Sequence, residues 1–296
     1  MPLRLILKSK RSLSMASQKK ETLSGRGSGL ESEYHSTPDT VCDVSTLSVL
    51  IRKKNVRVVD VRKEEEYAKE HIPGAVSLPL ARILEKESPE RCIEMLQDIG
   101  VNEDLPVVTY DDTFGALAAR VAWTFQYIGH QHSSILEVTF SQWKNMGFRT
   151  EKKSNSYKWQ PHPLKINQSI YADLAYVEKA SSNKVLVDSR ERLNFLSEHI
   201  PEAVNVPYTM LRADGRVLSK GDDIRRLLQN RGIHENSELV TYCGSVGTLS
   251  GLVYYGLKLA GLKNVRLYAK SFKEWKALGK PKTEFKDANY WDLSAE

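Results

Sequence analysis

The sequence predicts an α/β protein built from two tandem domains, each a parallel sheet with helices on both faces. The first observation is an internal repeat: VVDVR at 58–62 returns as LVDSR at 186–190, and HIPGAV at 71–76 returns as HIPEAV at 199–204. The second observation is that apolar strands alternate with helical segments inside each copy, an order that favours parallel pairing. A chain of 296 residues is also long enough for two domains of ordinary size.

Each copy is predicted to contain the same elements in the same order. A short helix begins after a capping residue, which is Ser45 in the first copy and Asp173 in the second. The runs VRVVDV and KVLVDS then have the continuous apolar character of strands that are buried on both faces. A polar helix, an IPxAV turn into a second short strand and an amphipathic helix come next. A third strand, LPVVTY or ELVTY, leads through a loop into a long helix.

The offset between the two copies grows from 128 to 132 residues further along the chain. The later offset relates Thr109 to Thr241, Tyr110 to Tyr242, Trp143 to Trp275 and Gly147 to Gly279. We place the four extra residues of the second copy in the segment RADGRVLSKG. Gly215 and Gly221 in and beside this segment are typical of a loop.

The formal net charge of +6 is confined to the N-terminal end of the chain. Residues 1–30 contain seven basic residues and one acidic residue, so the rest of the chain carries 36 of each sign. A basic groove for nucleic acid is therefore not expected. No apolar run approaches the roughly 20 residues that a membrane span requires, so we expect no membrane partner either.

From these signals we divide the chain into five segments. They are a flexible basic tail (1–38), a first domain without a catalytic cysteine (39–151), a polar linker (152–163), a catalytic domain (164–285) and a C-terminal tail (286–296). The start of the tail is basic, contains serine and lacks acids, which is typical of a mitochondrial presequence. A disordered arm and a true start at Met15 are the alternatives. We expect a cytoplasmic protein, with the mitochondrial matrix as the alternative location.

Three cysteines, Cys42, Cys92 and Cys243, are too few for a disulfide framework, and none has the spacing of a metal site. This usage suits a reducing compartment. Cys92 and the apolar residues after it are placed at helical spacing, so we expect Cys92 to pack in a core. No metal ion and no organic cofactor are predicted.

Cys243 differs from the other cysteines because it directly follows a predicted strand. In an open α/β sheet, ligands bind beyond the carboxyl ends of the strands. We expect two glycines of the following loop to adopt positive φ angles, so that successive N–H groups face one anion beside the helix N-terminus. Such a cradle lowers the pKa of a thiol from about 8.5 toward neutrality. The loop consists of Gly244, Ser245, Val246, Gly247 and Thr248, and the two glycines are Gly244 and Gly247.

The two copies, with their VDxR, HIPxAV and W-x-x-x-G motifs, resemble the rhodanese family over roughly residues 40–285. The order of a first copy without the cysteine and a second copy with it is similar to that in the thiosulfate and 3-mercaptopyruvate sulfurtransferases. This resemblance implies that Cys243 is a nucleophile that carries a persulfide, and that loop residues 243–248 bind it through their backbone. Among the arginines of the two VDxR motifs, we expect Arg190 to face the cleft and bind substrate.

The loop resembles the 3-mercaptopyruvate version of the family, because it reads Cys-Gly-Ser-x-x-Thr and lacks the cations of the thiosulfate version. Two departures accompany this likeness. The pair Val246-Gly247 appears in the reverse of the family's order. The family's second domain also carries a donor-binding arginine four residues beyond the VDxR arginine, where this chain has Asn194. Arg190 or Arg192 is the candidate to compensate.

In the first copy, Asp111 stands where Cys243 stands in the second. A carboxylate cannot accept sulfane sulfur, so we expect this domain to be structural and, by the resemblance, to form one wall of the cleft. Asp111 and Asp112 as metal ligands are a weaker alternative, because no histidine or third carboxylate accompanies them.

The histidines of the two HIP motifs, His71 and His199, occur in both copies, although only the second copy has the cysteine. We therefore predict that both histidines satisfy hydrogen bonds of the strand edge or turn and do not catalyse. The VDxR motifs are predicted to form ion pairs within each domain. These pairs are Asp60 with Arg62 and Asp188 with Arg190.

The predicted function is sulfur transfer from a small anionic donor, thiosulfate or 3-mercaptopyruvate, through a Cys243 persulfide. The predicted acceptor is cyanide or a thiol, including the thiol of a reductant protein. The alternative is a sulfur-relay or regulatory rhodanese module that acts on a protein partner and turns over no small donor. A cysteine phosphatase is a rival class of enzyme that uses a related loop. It needs an arginine six positions after the cysteine, where this chain has Leu249, so we do not expect phosphatase activity.

Removal of residues 1–30 is expected to leave the melting temperature and the rate of sulfur transfer unchanged. The physical reason is that this segment has no apolar periodicity with which to pack against a domain. Thermal unfolding and activity of the truncated and full-length chains test this prediction. A marked drop in melting temperature on truncation would show that the tail packs on the folded part.

Overall fold

Two parallel sheets, one in each sequence copy, organise the computed structural model, which describes residues 40–85 and 87–285. Every strand pair within both sheets is parallel. The predicted fold class is therefore confirmed. The expectations for residues 1–38 and 286–296 lie outside the described residues.

The described part of the first domain contains five strands and six helices. The strands are β1 (Val41–Cys42), β2 (Arg57–Asp60), β3 (Val76–Ser77), β4 (Val107–Tyr110) and β5 (Ser133–Leu136). The helices are α1 (Val44–Lys53), α2 (Glu64–Lys69), α3 (Leu80–Glu85), α4 (Pro89–Asp98), α5 (Ala116–Tyr127) and α6 (Phe140–Asn145). The strands lie in the order β1-β5-β4-β2-β3, and every residue of β2, β4 and β5 is buried, as expected for central strands of a parallel sheet.

The second domain repeats this plan with four strands and five helices. The strands are β6 (Lys184–Asp188), β7 (Val204–Asn205), β8 (Glu238–Tyr242) and β9 (Val265–Leu267), in the order β7-β6-β8-β9. The helices are α7 (Leu174–Glu178), α8 (Arg192–Ser197), α9 (Gly221–Gln229), α10 (Thr248–Leu259) and α11 (Ser271–Ala277), with 3₁₀ turns at Gln168–Ile170 and Tyr208–Leu211. A single parallel bridge from Tyr171 to Leu267 occupies the place that β1 has in the first sheet.

One predicted helix start is wrong. Helix α1 begins at Val44, and its cap is Asp43, whose carboxylate accepts a hydrogen bond from the Thr46 N–H at 2.9 Å. Ser45 lies inside the first turn, because the carboxylate two residues earlier already satisfies that N–H group. The equivalent prediction for the second copy is confirmed, since Asp173 caps α7 by accepting from the Tyr176 N–H at 2.8 Å.

The four extra residues of the second copy lie where the sequence places them. Fifteen residues separate β7 from α9, whereas eleven separate β3 from α4. Gly215 turns this loop with a φ of +75°. Gly221 is not a loop residue, because it is the first residue of α9. A Cβ at Gly221 would lie 2.3 Å from the carbonyl oxygen of Leu259, so this glycine serves the close approach of α9 to α10.

A buried tyrosine at the end of the third predicted strand joins the repeated motifs to one another. The Tyr110 hydroxyl donates to Asp60 at 2.6 Å and accepts from the Ile72 N–H at 3.1 Å. In the second domain the Tyr242 hydroxyl accepts from the Ile200 N–H at 3.2 Å and pairs with Asp188. Each VDxR strand is thereby tied to its neighbouring strand and to the HIP turn.

The domains pack against each other through helices α5 and α10. At Gly251 of α10 a Cβ would lie 3.3 Å from the backbone nitrogen of Arg120 in α5, so the glycine allows a short distance between the helix axes. The inserted loop of the second domain adds a second contact, in which the Val217 N–H donates to the Glu137 carbonyl at 2.8 Å. One continuous apolar core crosses this interface, from Val59 in the first sheet to Leu267 in the second.

Candidate active site

Cys243 lies at the carboxyl end of β8, as predicted, and the loop after it ends where α10 begins at Thr248. Its side chain is buried, whereas the next two residues, Gly244 and Ser245, are exposed. Gly247 adopts a φ of +77° and caps α10, so the expectation of a left-handed glycine is confirmed at this position. The helix N-terminus therefore faces the loop that carries the thiol.

The expectation of a positive φ is wrong for Gly244. Among the described residues, Gly247 has a left-handed backbone conformation and Gly244 does not. A Cβ at Gly244 would meet only the Cδ of Arg190, at 4.0 Å. Position 244 is therefore open to a side chain, because neither its backbone angle nor its surroundings require glycine.

Several donors around the sulfur lower the pKa of Cys243. Burial favours the neutral thiol and raises the pKa, but the hydroxyl and N–H of Ser250, the N–H of Ser245 and the hydroxyl of Ser271 outweigh it. The Ser271 hydroxyl lies 3.7 Å from the Cys243 Sγ and accepts a hydrogen bond from the Cys243 N–H at 3.1 Å. The buried Ser250 hydroxyl makes no other hydrogen bond in the described chain, so its proton is available to an ionised sulfur. These groups favour the thiolate.

The first domain shows what this kind of loop binds. Asp111 occupies the position of the cysteine and is buried. Its Oδ1 accepts hydrogen bonds from the N–H groups of Thr113 and Gly115, both at 2.8 Å, and its Oδ2 accepts from the Ala118 N–H at 2.9 Å. Burial raises the pKa of Asp111, and these backbone donors oppose that shift. A carboxylate thus fills a cradle of backbone N–H groups.

The donors of the first cradle correspond to those of the second at the repeat offset of 132. Thr113 corresponds to Ser245, Gly115 to Gly247 and Ala118 to Ser250. Gly115 has a φ of +87° and caps α5, just as Gly247 caps α10. The same turn therefore surrounds a carboxylate in one domain and a thiol in the other. The carboxylate of Asp111 is used by these donors, which argues against the alternative of an Asp111–Asp112 metal site.

The predicted ion pairs of the VDxR motifs are confirmed in both domains. Arg190 contacts Asp188 through its Nε at 3.0 Å and its Nη2 at 2.6 Å, and the Nη2 also donates to the Glu198 carbonyl. The guanidinium lies 4.5 Å from the centre of the Phe272 ring. These contacts fix Arg190 beside Gly244, the residue that follows Cys243. Arg62 pairs with Asp60 in the same way in the first domain.

The two HIP histidines are structural, as predicted. His71 contacts the Tyr67 carbonyl through Nδ1 at 2.8 Å and the Lys153 carbonyl through Nε2 at 3.1 Å. The Nδ1 of His199 contacts the Phe195 carbonyl at 2.7 Å. Each histidine thus connects the helix before it to the turn that follows.

Sequence reasoning missed two residues that contact the loop from other elements. Ser271 begins α11, beyond a strand, β9, that was not predicted. Arg120 belongs to α5 of the first domain, and its Nε donates to the Val246 carbonyl at 2.8 Å. A single charged residue within the apolar run ALAARVAWTF was the available signal for Arg120. The expectation that the first domain contributes to the cleft thus gains a specific contact.

Two cavities flank the interface between the domains. A cleft of about 790 Å³ lies at the edge where the strands begin, and its walls include His132 before β5 and Asn264 before β9. It is at the opposite edge of the sheets from Cys243, so we do not assign the chemistry to it. A smaller cavity of about 250 Å³ has walls that include Trp123, Tyr127 and Ala269. Ala269 also packs against Gly247, so the small cavity adjoins the loop.

Cys92 is buried in the core of the first domain, which confirms its predicted packing role.

Within residues 40–85 and 87–285, no cluster of three or more histidine, cysteine or acidic side chains could hold a metal ion. In the same ranges, no helix combines the length and apolar character of a membrane span.

The model of the rhodanese-like domain family matches two segments of the chain, residues 43–146 and 173–278. The chain belongs to the rhodanese-like domain family. The two matches correspond to the two sheets, so the tandem rhodanese organisation predicted from the repeat is confirmed. Both cradles, the one with Asp111 and the one with Cys243, fall inside the matched segments.

Relatives of this tandem rhodanese chain are named as sulfurtransferases of two kinds. Human 3-mercaptopyruvate sulfurtransferase is 29% identical over 251 residues, which cover 75% of this chain and 82% of the relative. A thiosulfate sulfurtransferase from Pseudomonas aeruginosa is 24% identical over 253 residues, covering 79% and 93%. These relatives place the chain among the sulfurtransferases without separating the two kinds.

Solved structures share the tandem rhodanese fold. The 3-mercaptopyruvate sulfurtransferase of Escherichia coli aligns with a TM-score of 0.68 and 23% identity, over 78% of this chain and 98% of the other. The anaerobic ergothioneine biosynthesis enzyme of Chlorobium limicola aligns with a TM-score of 0.74 and 19% identity, over 87% and 72%. At these identities the likeness establishes the fold.

The three cysteines are expected to differ in their reaction with iodoacetamide, because only thiolates react. The pKa of Cys243 is lowered, whereas burial raises that of Cys92 to about 11 and that of Cys42 to about 12. The alkylation rate of Cys243 should rise with pH and level off at a lower pH than the rate of an ordinary thiol, whose pKa is about 8.5. Peptide mapping of the native protein across pH measures this, with Cys243→Ser as the control. Equal labelling of Cys92 in the folded protein would contradict the assignment.

Proposed function

We propose that this protein transfers sulfane sulfur from a small anionic donor to a thiol or cyanide through a persulfide on Cys243. The observation that carries the proposal is the set of donors that converge on the Cys243 sulfur, in a loop whose first-domain counterpart holds a carboxylate. A cradle that stabilises a negative charge suits both a thiolate and the terminal sulfur of a persulfide anion.

In the first half-reaction the Cys243 thiolate attacks the outer sulfur of the donor and forms a new S–S bond. With thiosulfate, the original S–S bond breaks, and its electron pair leaves with sulfite. With 3-mercaptopyruvate, the C–S bond breaks, and its electron pair forms the enolate of pyruvate, which takes up the proton of the donor thiol. Neither route requires a change in the oxidation state of a metal or cofactor.

In the second half-reaction an acceptor thiolate or cyanide attacks the outer sulfur of the persulfide. The S–S bond to Cys243 breaks, and its electron pair restores the thiolate that the cradle stabilises. A lowered thiol pKa therefore helps twice, because it supplies the nucleophile in the first step and a good leaving group in the second. The donors around Cys243 act on both steps.

Arg190 is our proposed contact for the anionic group of the donor. Its Nε and Nη2 are held by Asp188 and by the Glu198 carbonyl, and its Cδ lies next to Gly244. The pair with Asp188 offsets much of its charge, so we expect it to orient the donor more than to attract it over a distance. Gly244 and Ser245 are exposed beside the buried Cys243, so we expect the donor to approach along this part of the loop.

Incubation with either donor is expected to add one sulfur atom to the protein, on Cys243. Intact-mass analysis followed by peptide mapping measures the addition, and a thiol reductant should remove it. Cys243→Ser should abolish the addition and leave the melting temperature unchanged, because the substitution is nearly isosteric. Cys92→Ser is the matched control that should still form the persulfide. Sulfur mapped to Cys92 or Cys42 would refute the proposed site.

The catalytic efficiency is expected to be higher with 3-mercaptopyruvate than with thiosulfate. The loop offers N–H groups and hydroxyls but no cation, and the lack of one charge-assisted hydrogen bond to the thiosulfate dianion costs about ten- to a hundredfold in affinity. Steady-state kinetics with both donors measure the preference. The double variant Gly244→Arg and Ser245→Lys should shift it toward thiosulfate, and the open surroundings of position 244 leave room for the new side chain.

A preference of the wild type for thiosulfate by tenfold or more would mean that cations outside the loop dominate donor selection. Absence of turnover with either small donor, together with persulfide transfer from a protein partner, would favour the sulfur-relay module instead.

A further inference from the structure

Arg120 is a fully buried cation that the noncatalytic domain places against the catalytic loop. Its Nε donates to the carbonyl oxygen of Val246 at 2.8 Å, across a separation of 126 residues in the chain. The rest of the guanidinium bonds the Thr124 hydroxyl and the Glu87 carboxylate. The equivalent position in the second copy is Leu252, so the fold of a rhodanese-like domain does not itself demand an arginine here.

The hydrogen bond to Val246 fixes the orientation of the next N–H group. The peptide bond between Val246 and Gly247 is trans, and in a planar trans peptide the C=O and N–H point in opposite directions. Because Arg120 holds the carbonyl toward the first domain, the Gly247 N–H is turned the other way, away from Arg120. In the first domain the equivalent N–H, that of Gly115, donates to the buried carboxylate of Asp111.

Packing at Gly247 adds a second restraint on this peptide. A Cβ at this position would lie 3.3 Å from the Cδ of Arg120 and 3.2 Å from the Cα of Ala269. The side chain of Arg120 therefore both contacts the glycine and bonds the carbonyl before it. Rotation of the peptide would break a hydrogen bond of a buried guanidinium, which costs more than the loss of an exposed one.

A variant of Glu87 can distinguish an effect of the position of Arg120 from an effect of its charge. Its carboxylate pairs with Arg120, so the pair as a whole is close to neutral and exerts little net field on the thiol. Loss of Glu87 would leave the charge of Arg120 uncompensated and keep its bond to Val246. Loss of Arg120 would release the carbonyl of Val246.

We propose that Arg120 is a positioning residue that orients the Gly247 N–H toward the anion on Cys243, so that the noncatalytic domain sets the reactivity of the cysteine in the other domain. The proposal rests on Cys243 as the reactive thiol of the proposed function. It predicts that Arg120 changes the reactivity of the sulfur and not merely the stability of the domain interface.

The test compares Arg120→Met, Arg120→Lys and Glu87→Gln with the wild type in the full-length chain. Two quantities are measured: the pH profile of Cys243 alkylation by iodoacetamide, and the rate of persulfide formation in a single turnover with 3-mercaptopyruvate. Arg120→Met should move the midpoint of the alkylation profile to higher pH and slow persulfide formation about ten- to a hundredfold, as expected for one lost hydrogen bond to an anion. Arg120→Lys, which keeps the charge but loses the Nε donor, should fall between Met and wild type.

Glu87→Gln should not raise the midpoint, because the bond from Arg120 to Val246 persists. The proposal is overturned if Arg120→Met or, where that variant does not fold, Arg120→Lys retains the wild-type midpoint and rate. It is equally overturned if Glu87→Gln slows persulfide formation as much as Arg120→Met does. The alkylation profile does not depend on sulfur transfer, so failure of the proposed function and failure of the Arg120 proposal give different results.

Discussion

The structure depends on a short turn between a strand and a helix, in which backbone N–H groups surround one buried side chain that can carry a negative charge. In the first domain that anion is the carboxylate of Asp111, which three N–H groups bind at 2.8 to 2.9 Å. In the second domain the same turn surrounds Cys243, whose pKa is lowered although its side chain is buried. Without these donors, burial would keep the thiol protonated, as it does for Cys42 and Cys92, whose pKa values are raised.

The two copies of the repeat place different side chains in the same kind of cradle. A carboxylate that is permanently part of the chain closes the first cradle, so the loop around Asp111 is complete without a ligand. The second cradle contains the thiol of Cys243, which is the sulfur carrier of the proposed function. The shared α5–α10 interface holds both turns in one core, and the inserted loop around Val217 packs against Gly115 of the first turn. The first domain is therefore part of the framework that positions the loop after Cys243.

Cations near the site are held by the protein rather than left free for the donor. Arg190 is fixed by Asp188, and Arg120 is paired with Glu87 and bonded to the Val246 carbonyl. Paired guanidinium groups cost less to bury than free ones, and they have defined orientations. The family's additional donor-binding arginine is replaced by Asn194, an exposed residue of α8. Under the proposed function, donor recognition therefore relies on directed hydrogen bonds more than on net positive charge.

The sequence by itself determined the repeat, the alternation of strands and helices, and the position of Cys243 at the end of a strand. These features depend on periodicity and short spacings, which local backbone geometry translates directly into structure. The sequence misplaced the cap of α1 and assigned a positive φ to Gly244, because several neighbouring residues could fill each of these local roles. Only the tertiary structure decided that Ser271 and Arg120 contact the catalytic loop. Arg120 is 126 residues from Val246 in the chain, and the packing of α5 on α10 brings them together, which no local pattern records.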